Sequence, residues 1–232
     1  MGIVDTESRT ASSGAVGGAA VPDPENSGSG GTADGLLLTL KRAAAALQEA
    51  GVGFALAGGF AAYAHGAAVS THDVDFLVRE RDVPAALEAL ENAGMRHVDS
   101  PENWLAKAYD GDHLIDLIHS PAGRPVREDL FTRAEDLSVG AVFMPVLPAT
   151  DLVVMRLLAF TETACDFSGF LHVSRALREQ VDWESVAEQT AESPYAYAFL
   201  TLLTRLGVID GAGAIEGPGA GGGPAATEGG AP

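Results

Sequence analysis

The chain has 232 residues, 47% of them apolar, which allows one good-sized domain or two small ones. Its formal net charge is −18 and its only lysines are Lys41 and Lys107, so it lacks the basic stripe typical of duplex or tRNA binding, and we do not expect nucleic acid as a partner. The single cysteine, Cys165, excludes an intramolecular disulfide, which agrees with a cytoplasmic location.

Both ends of the chain are rich in small residues and proline. Residues 1–34 and 211–232 contain runs of Gly, Ser, Ala and Pro without apolar periodicity. Such segments bury too little apolar surface to offset the entropy of ordering, so we predict two disordered tails. We find neither the pattern of a secretory signal nor an uninterrupted apolar run of about twenty residues. The sequence therefore predicts a soluble, cytoplasmic protein without membrane contact.

The first elements of the predicted folded part lead to a pair of glycines. Apolar residues at helical spacing predict an amphipathic helix over 35–50, and the apolar segment 54–57 is typical of a strand. Gly58 and Gly59 follow, and the small residues after them predict a short helix. Such a turn presents backbone N–H groups to which a phosphate can bind.

Residues 73–78 predict a strand with two carboxylates. Side chains alternate between the faces of a strand, so Asp73 and Asp75 share one face while apolar residues occupy the other. The two acids are about 6.5–7 Å apart along the backbone, so they can converge on two Mg²⁺ ions about 3.5–4 Å apart. Acids in an apolar strand cost stability unless a cation or water compensates them. Alone, such a pair of acids is more often a solvated strand edge or strand end, but together with the preceding glycine pair it favours a metal site.

A further acid lies in a predicted hairpin. Helical spacing predicts a helix over 83–93, and a short strand follows at 95–98. The Asp-Gly turn at 110–112 separates two runs with apolar alternation, which predicts a β-hairpin over 103–118. Asp116 stands among four aliphatic residues in the second arm, where a carboxylate is costly without a role. An edge-strand acid facing solvent is the other interpretation.

The remaining chain is predicted to be mainly helical. Residues 128–137 predict an acidic helix, and an apolar strand over 139–147 contains Pro145, which indicates a sheet edge. A helix ending at residue 160 carries Arg156. Three more helices are predicted at 171–180, 182–191 and 194–206.

Taken together, these motifs resemble the nucleotidyltransferase superfamily of the DNA polymerase β type, including its minimal nucleotidyltransferases. The family signature is a hydrophobic residue with Gly-Gly or Gly-Ser, a short spacer, and Asp-hydrophobic-Asp/Glu-hydrophobic. The matching pieces here are Ala57-Gly58-Gly59, thirteen residues from Phe60 to His72, and Asp73-Val74-Asp75-Phe76. Many relatives carry an arginine in the loop at 65–72, and this chain has none there.

The resemblance implies an α+β fold of the polymerase β type, with a mixed sheet flanked by helices. It implies a catalytic domain over 35–148 and a C-terminal helical lobe over 149–210 that closes over the nucleotide. It also implies that Asp73 and Asp75 hold two Mg²⁺ ions, and that Asp116 is a third metal ligand that helps to deprotonate the acceptor hydroxyl.

The resemblance further implies which residues bind the NTP substrate. Gly58 and Gly59 would let the backbone approach its phosphates. Because the loop lacks an arginine, the hydroxyls of Ser70 and Thr71 are the candidates there. In similar enzymes a basic residue near the position of Arg156 reaches the phosphates, and a plain surface arginine is the equal alternative.

The leading hypothesis is a Mg-dependent nucleotidyltransferase that moves a nucleoside monophosphate from an NTP to a hydroxyl of a small molecule or protein and releases pyrophosphate. The missing loop arginine favours an alternative, a catalytically silent nucleotide- or partner-binding module such as a toxin–antitoxin component. The net charge argues against a tRNA-modifying enzyme of the toxin type, and a glycosyltransferase leaves the two glycines unexplained. The acceptor and the oligomeric state stay open at this stage.

Overall fold

The computed structural model describes residues 29–70 and 72–210. The predicted tail at 211–232, most of the tail at 1–34, and Thr71 lie outside the described residues. The first helix begins at Ser29, so residues 29–34 are helical and do not belong to the predicted disordered tail. In the part of the chain that the structure describes, no helix combines the length and apolar character needed to cross a membrane.

The described residues form eight α-helices and seven strands. The helices are α1 (Ser29–Glu49), α2 (Gly58–Ala64), α3 (Val83–Asn92), α4 (Glu128–Arg133), α5 (Ala149–Leu158), α6 (Phe167–Leu177), α7 (Trp183–Gln189) and α8 (Pro194–Arg205). The strands are β1 (Phe54–Leu56), β2 (Asp73–Val78), β3 (Arg96–Val98), β4 (Leu105–Asp110), β5 (His113–Ile118), β6 (Glu135–Val139) and β7 (Val142–Val146). Short 3-10 turns lie at Glu80–Asp82 and Pro121–Gly123.

All seven strands belong to one mixed sheet with the order β3-β4-β5-β2-β1-β7-β6. β2 lies at its centre, antiparallel to β1 and parallel to β5. β4 and β5 form the predicted hairpin, and Gly111 in its turn has a φ of +62°, which a glycine adopts without strain. A mixed sheet flanked by helices confirms the predicted fold class.

Helices α1 and α3 pack on one face of the sheet. That face is formed by the apolar residues that alternate with the acids along the strands. Its fully buried members on β2 and β5 are Val74, Phe76, Ile115 and Leu117. Leu40 and Leu47 of α1 pack into the same cluster. Burying a side chain of this size contributes about 1.5–3 kcal/mol. The apolar face of β2 and β5 therefore holds these strands in place and so positions the acids on the opposite face.

A second apolar cluster joins helices α5 to α8. At its centre, neighbouring aromatic rings have centroids 5.1–6.2 Å apart. These rings belong to Phe160, Phe167, Phe170 and Phe199. Ala62 of α2 and Ala67 also pack into this cluster, so the C-terminal helices rest on the segment that follows the two glycines.

The segment from 128 to 147 differs from the prediction. The predicted helix over 128–137 ends at Arg133, and the following residues form β6. Gly140 and Ala141 have φ values of +56° and +69° and make a two-residue turn. The single strand predicted over 139–147 is therefore the second half of a β-hairpin, because the turn lies inside what seemed an unbroken apolar run.

Pro145 does not mark a sheet edge. It lies in β7, between β1 and β6, and the edge strand on this side is β6. The prediction failed because β1 is only three residues long and pairs with β7 at the single position of Leu56 and Val146. A proline next to such a short strand removes little from the hydrogen-bond ladder.

Candidate active site

Three carboxylates converge at the centre of the sheet. Asp73 and Asp75 lie on β2, and Asp116 on β5 is the register partner of Asp75. One oxygen atom from each of the three carboxylates lies within 4.8 Å of the other two. The parallel pairing of β2 and β5 thus brings together acids that the sequence presents in two separate motifs.

Asp75 holds its proton more strongly than an ordinary carboxyl. Burial raises its pKa to about 8, with further contributions from the negative charges of Asp73 and Asp116. The charge of Arg156 and the backbone N–H of Gly59, which donates to the Asp75 carboxyl, act in the opposite direction. Carboxylates this close do not all ionise without a nearby positive charge.

Asp116 has a carboxylate oxygen without a protein partner. The residue is only 8% exposed, and burial raises its pKa to about 6 against the opposing charge of Lys107. Its Oδ1 atom is buried and receives no hydrogen bond from the described residues. A buried oxygen of this kind is costly to leave unsatisfied. Carboxylate oxygens are the ligands that Mg²⁺ prefers, so the three acids fit a divalent cation.

The two glycines bring the main chain against Asp75. Gly58 has a φ of +58°, and a Cβ atom at this position would overlap Oδ2 of Asp75. A Cβ at Gly59 would lie 2.6 Å from Oγ of Ser70. Only glycine therefore allows the turn between β1 and α2 to approach both the acidic strand and the loop before it.

Ser70 lies beside the glycine turn, and Arg156 lies near enough to the acids for its charge to act on Asp75. Ser70 is half-buried beside Gly59, whereas its predicted companion Thr71 lies outside the described residues. Arg156 is exposed on α5, close enough to lower the pKa of Asp75, and its guanidinium lies 5.6 Å from the ring centroid of Phe160. The structure thus brings Arg156 toward the acids rather than leaving it on a remote surface.

A cleft of about 430 Å³ opens next to Arg156. It lies between the end of α5 and the start of α6, and its volume falls in the range of small-molecule sites. Its lining residues are Arg156, Ala159, Phe160, Thr163, Ala164, Cys165 and Asp166.

Lys107 on β4 is a site residue that the sequence reasoning missed. It is the register partner of Asp116, and its Nζ atom lies 3.2 Å from Oε1 of Glu102. The sequence contains the information needed to place Lys107 opposite Asp116. Once the Asp-Gly turn is placed, Asp110 pairs with His113, and counting outward from that pair puts Lys107 opposite Asp116.

Comparison with known proteins gives one family match. A family described as uncharacterised nucleotidyltransferases matches residues 30–206, which include all the carboxylates, both glycines and Arg156. No curated protein matches the sequence.

Two similar solved structures are both of ANT(2″)-Ia. The crystal structure of its complex with adenylyl-2″-tobramycin has a TM-score of 0.52 and 13% sequence identity, with 72% of this chain and 97% of that chain covered. A solution structure, described as that of an antibiotic-resistance factor, has a TM-score of 0.55 and 15% identity, with 75% and 98% covered. At these identities the likeness concerns the fold.

Proposed function

Since the chain belongs to the family of uncharacterised nucleotidyltransferases, we propose that it transfers a nucleoside monophosphate from an NTP to a hydroxyl group of a small molecule or a protein. In this reaction the acceptor oxygen bonds to the α-phosphorus of the NTP, and the bond between that phosphorus and pyrophosphate breaks. The hydroxyl proton passes to Asp116 or to water. Pyrophosphate leaves with the electron pair of the broken bond.

The observation that carries this proposal is the convergence of Asp73, Asp75 and Asp116 within 4.8 Å, with Oδ1 of Asp116 buried and unpaired. We propose that the three carboxylates hold two Mg²⁺ ions. When bound, Mg²⁺ supplies Lewis-acid polarisation of the phosphoryl oxygens and offsets their negative charge. A silent binding module has no need for a costly cluster of three acids, one of them buried, so this observation favours the enzyme over that alternative.

The nucleotide is proposed to bind on the β1 side of the carboxylates. The phosphates bind beside the turn in which Gly58 and Gly59 contact Asp75 and Ser70, and the hydroxyls of Ser70 and Thr71 donate to the phosphate oxygens. Arg156 contacts the phosphates as a charge-assisted donor, and the neighbouring cleft takes another part of the nucleotide. Arg156 then performs the task for which many relatives use a loop arginine.

Asp116 is proposed to act on the acceptor. It lies on β5, on the side of Asp75 away from β1, so a hydroxyl that reaches it approaches the phosphate from the side opposite the glycine turn. Its pKa of about 6 leaves the carboxyl mostly ionised near pH 7, which suits a group that accepts or orients a proton.

A small-molecule acceptor has the better support. Long polyanions are disfavoured by the net charge of −18. The crystal structure of ANT(2″)-Ia contains adenylyl-2″-tobramycin, an adenylylated small molecule. The similar fold therefore supports a small molecule as the class of acceptor without identifying the compound.

The proposal is tested by incubating the full chain with each α-labelled NTP, Mg²⁺ or Mn²⁺, and a panel of hydroxyl compounds and cell extracts. We expect label transfer and pyrophosphate release with the wild type. Asp75→Asn and Asp116→Asn should each lower transfer at least about 100-fold, because each removes a cation ligand. The control Asp112→Asn changes an exposed acid of the hairpin turn and should leave transfer unchanged.

Two results would contradict the proposal. Nucleotide binding without transfer to any acceptor would support the silent binding module. Transfer that survives Asp75→Asn would place the chemistry elsewhere in the chain.

A further inference from the structure

The sheet face that carries the carboxylates continues past them toward strand β3. Two rows of register partners cross β2, β5, β4 and β3 in that order. The first row is Asp73, Leu114, Tyr109 and Arg96, and the second is Asp75, Asp116, Lys107 and Val98. Register partners point to the same face of a sheet. We call the members beyond the acids the platform: Arg96, Val98, Lys107, Tyr109 and Leu114.

The platform lies on the face that α1 and α3 leave open. Asp110 alternates with Tyr109 along β4 and accepts a hydrogen bond from Thr39 of α1 at 3.0 Å, so α1 lies on the face opposite Tyr109. Arg96 is exposed, and the other four platform residues are half-buried. The platform therefore offers side chains to a ligand beside Asp116.

The platform carries one cation, Arg96, that no acidic residue among the described residues pairs with, in contrast to the acidic excess of the whole chain. Lys107 is paired with Glu102. The guanidinium of Arg96 lies 5.3 Å from the ring centroid of Tyr109, and among the described residues no carboxylate forms an ion pair with it. Arg96 thus presents its hydrogen-bond donors to solvent at the end of a row that begins at the metal-binding acids.

On the premise of the proposed function, we infer that this platform binds the acceptor, a small hydroxyl compound with a ring and a carboxylate or phosphate group. The ring contacts Tyr109 beside the guanidinium of Arg96, the anionic group bonds to Arg96, and the hydroxyl reaches Asp116. Strands are about 4.8 Å apart and residues two apart in a strand about 6.6 Å, so Arg96 and Asp116 are about 12 Å apart at the backbone. A sugar phosphate or an aromatic acid spans the shorter gap between their side chains.

This arrangement favours acceptors with a negative charge over acceptors with a positive charge. A guanidinium forms paired hydrogen bonds with carboxylate or phosphate groups, and an aromatic ring packs on the face of a sugar or another ring. A polycationic acceptor meets repulsion from Arg96 instead, since Lys107 is paired with Glu102. The glycine turn follows β1, on the side of β2 away from β5, so the donor and the acceptor do not compete for one surface.

The test measures binding to the full chain with Mg²⁺ and a non-hydrolysable ATP analogue, by calorimetry and by NMR of the Tyr109 ring. The probes are ribose 5-phosphate, neutral ribose, polycationic tobramycin and tRNA. We expect ribose 5-phosphate to bind at least about tenfold more tightly than ribose and to shift the Tyr109 signals. Arg96→Gln should remove this preference, and Tyr109→Leu should weaken the binding of both sugars. The control Arg205→Gln changes an exposed arginine on α8 and should alter neither.

The inference is overturned if Arg96→Gln leaves the phosphate preference unchanged, if no sugar binds, if tobramycin binds more tightly than ribose 5-phosphate, or if only tRNA depends on Arg96. Its failure is distinguishable from failure of the proposed function. Label transfer to a neutral or cationic acceptor that is insensitive to Arg96→Gln keeps the transferase and removes the inference. Binding of ribose 5-phosphate that depends on Arg96, without transfer to any acceptor, supports the inference and contradicts the proposed function.

Discussion

The ionised form of the Asp75 carboxyl is destabilised, and the described residues do not fully compensate for this. Its pKa of about 8 arises from burial and from two neighbouring acids, so the protein without metal keeps a proton on this carboxyl at neutral pH. Cation binding must displace that proton. Metal affinity should therefore rise with pH up to about 8, which links occupancy of the site to proton release.

The pH dependence of stability follows from the same shift. The unfolded carboxyl ionises near 3.8, whereas the folded one keeps its proton up to about 8, so the unfolded state binds fewer protons between these values and stability falls as pH rises. With EDTA present, urea unfolding of the wild type should lose roughly 1–3 kcal/mol between pH 6 and 9. Asp75→Asn should lack this loss.

The control is Asp112→Asn, an exposed acid in the hairpin turn, which should keep the wild-type loss. An equal decline in the Asp75→Asn variant would show that another group titrates in this range. Asp116 contributes with the same sign mainly below pH 6, outside the window measured.

Gly58→Ala should impair the site more than the backbone strain explains. Gly58 and Gly51 have similar φ values of +58° and +68°, but a Cβ at Gly51 contacts nothing within 4 Å, whereas one at Gly58 overlaps the Asp75 carboxyl. Both alanine variants should lose about 1 kcal/mol through strain. Only Gly58→Ala should also lower transfer, by at least about tenfold, because it displaces Asp75. Equal activity of the two variants in the labelled-NTP assay would contradict this account.

At the scale of elements, His65 joins three segments around the site. It follows α2, its Nε2 atom lies 2.8 Å from the carbonyl oxygen of Leu147 before α5, and its Nδ1 atom lies 3.3 Å from Oε1 of Gln180. Gln180, between α6 and α7, also donates to the carbonyl oxygen of His65 at 2.8 Å. These contacts tie the helix that begins at the glycine turn to the helix that carries Arg156.

We expect His65→Ala to weaken the connection between the helix that begins at the glycine turn and the helix that carries Arg156. Loss of the imidazole contacts should lower stability by about 0.5–1.5 kcal/mol, since an imidazole with one N–H donates a single hydrogen bond and both contacts are to oxygen atoms. The Michaelis constant for the NTP should rise more than the turnover number falls, since Arg156 is displaced while the acids stay in place. His97→Ala on β3 is the matched control, because His97 is exposed, and it should change neither quantity. A fall in turnover alone would contradict a positioning role.

The elements near the acids were predictable because their signals are local. The alternation around Asp73 and Asp75 and the Asp-Gly turn before Asp116 each determine a strand within a few residues. The β6–β7 hairpin was missed because its turn uses Ala141 with a positive φ, where sequence reasoning expects glycine or asparagine. The approach of Arg156 to Asp75 depends on packing between helices, which no local pattern encodes.

At the scale of the whole molecule, two apolar clusters stabilise the folded state and an excess of acidic residues destabilises it. The sheet cluster and the helical cluster hold the chain together, while 32 acidic residues against 14 basic ones repel. Self-repulsion of this size lowers the stability of the compact state and is screened by salt.

Salt should therefore stabilise the protein. We expect Tm to rise by a few degrees between about 10 and 300 mM NaCl, because the Debye length falls from roughly 30 Å to below 8 Å. Calorimetry at pH 7 with EDTA measures this effect. A Tm that falls with salt would mean that the ion pairs contribute more than the net repulsion, and Arg42 with Asp110 is the pair to examine first.

The parallel pairing of β2 with β5 sets a condition on biosynthesis. The third acid cannot come from a strand joined to β2 by a tight turn, because a parallel neighbour requires the intervening chain to cross back, here through α3, β3 and β4. In a nascent chain the first two acids of the proposed cation site are therefore synthesised well before the third one. A fragment that ends before residue 116 lacks the third acid of the proposed cation site, so we expect it to bind Mg²⁺ more weakly than the full chain does.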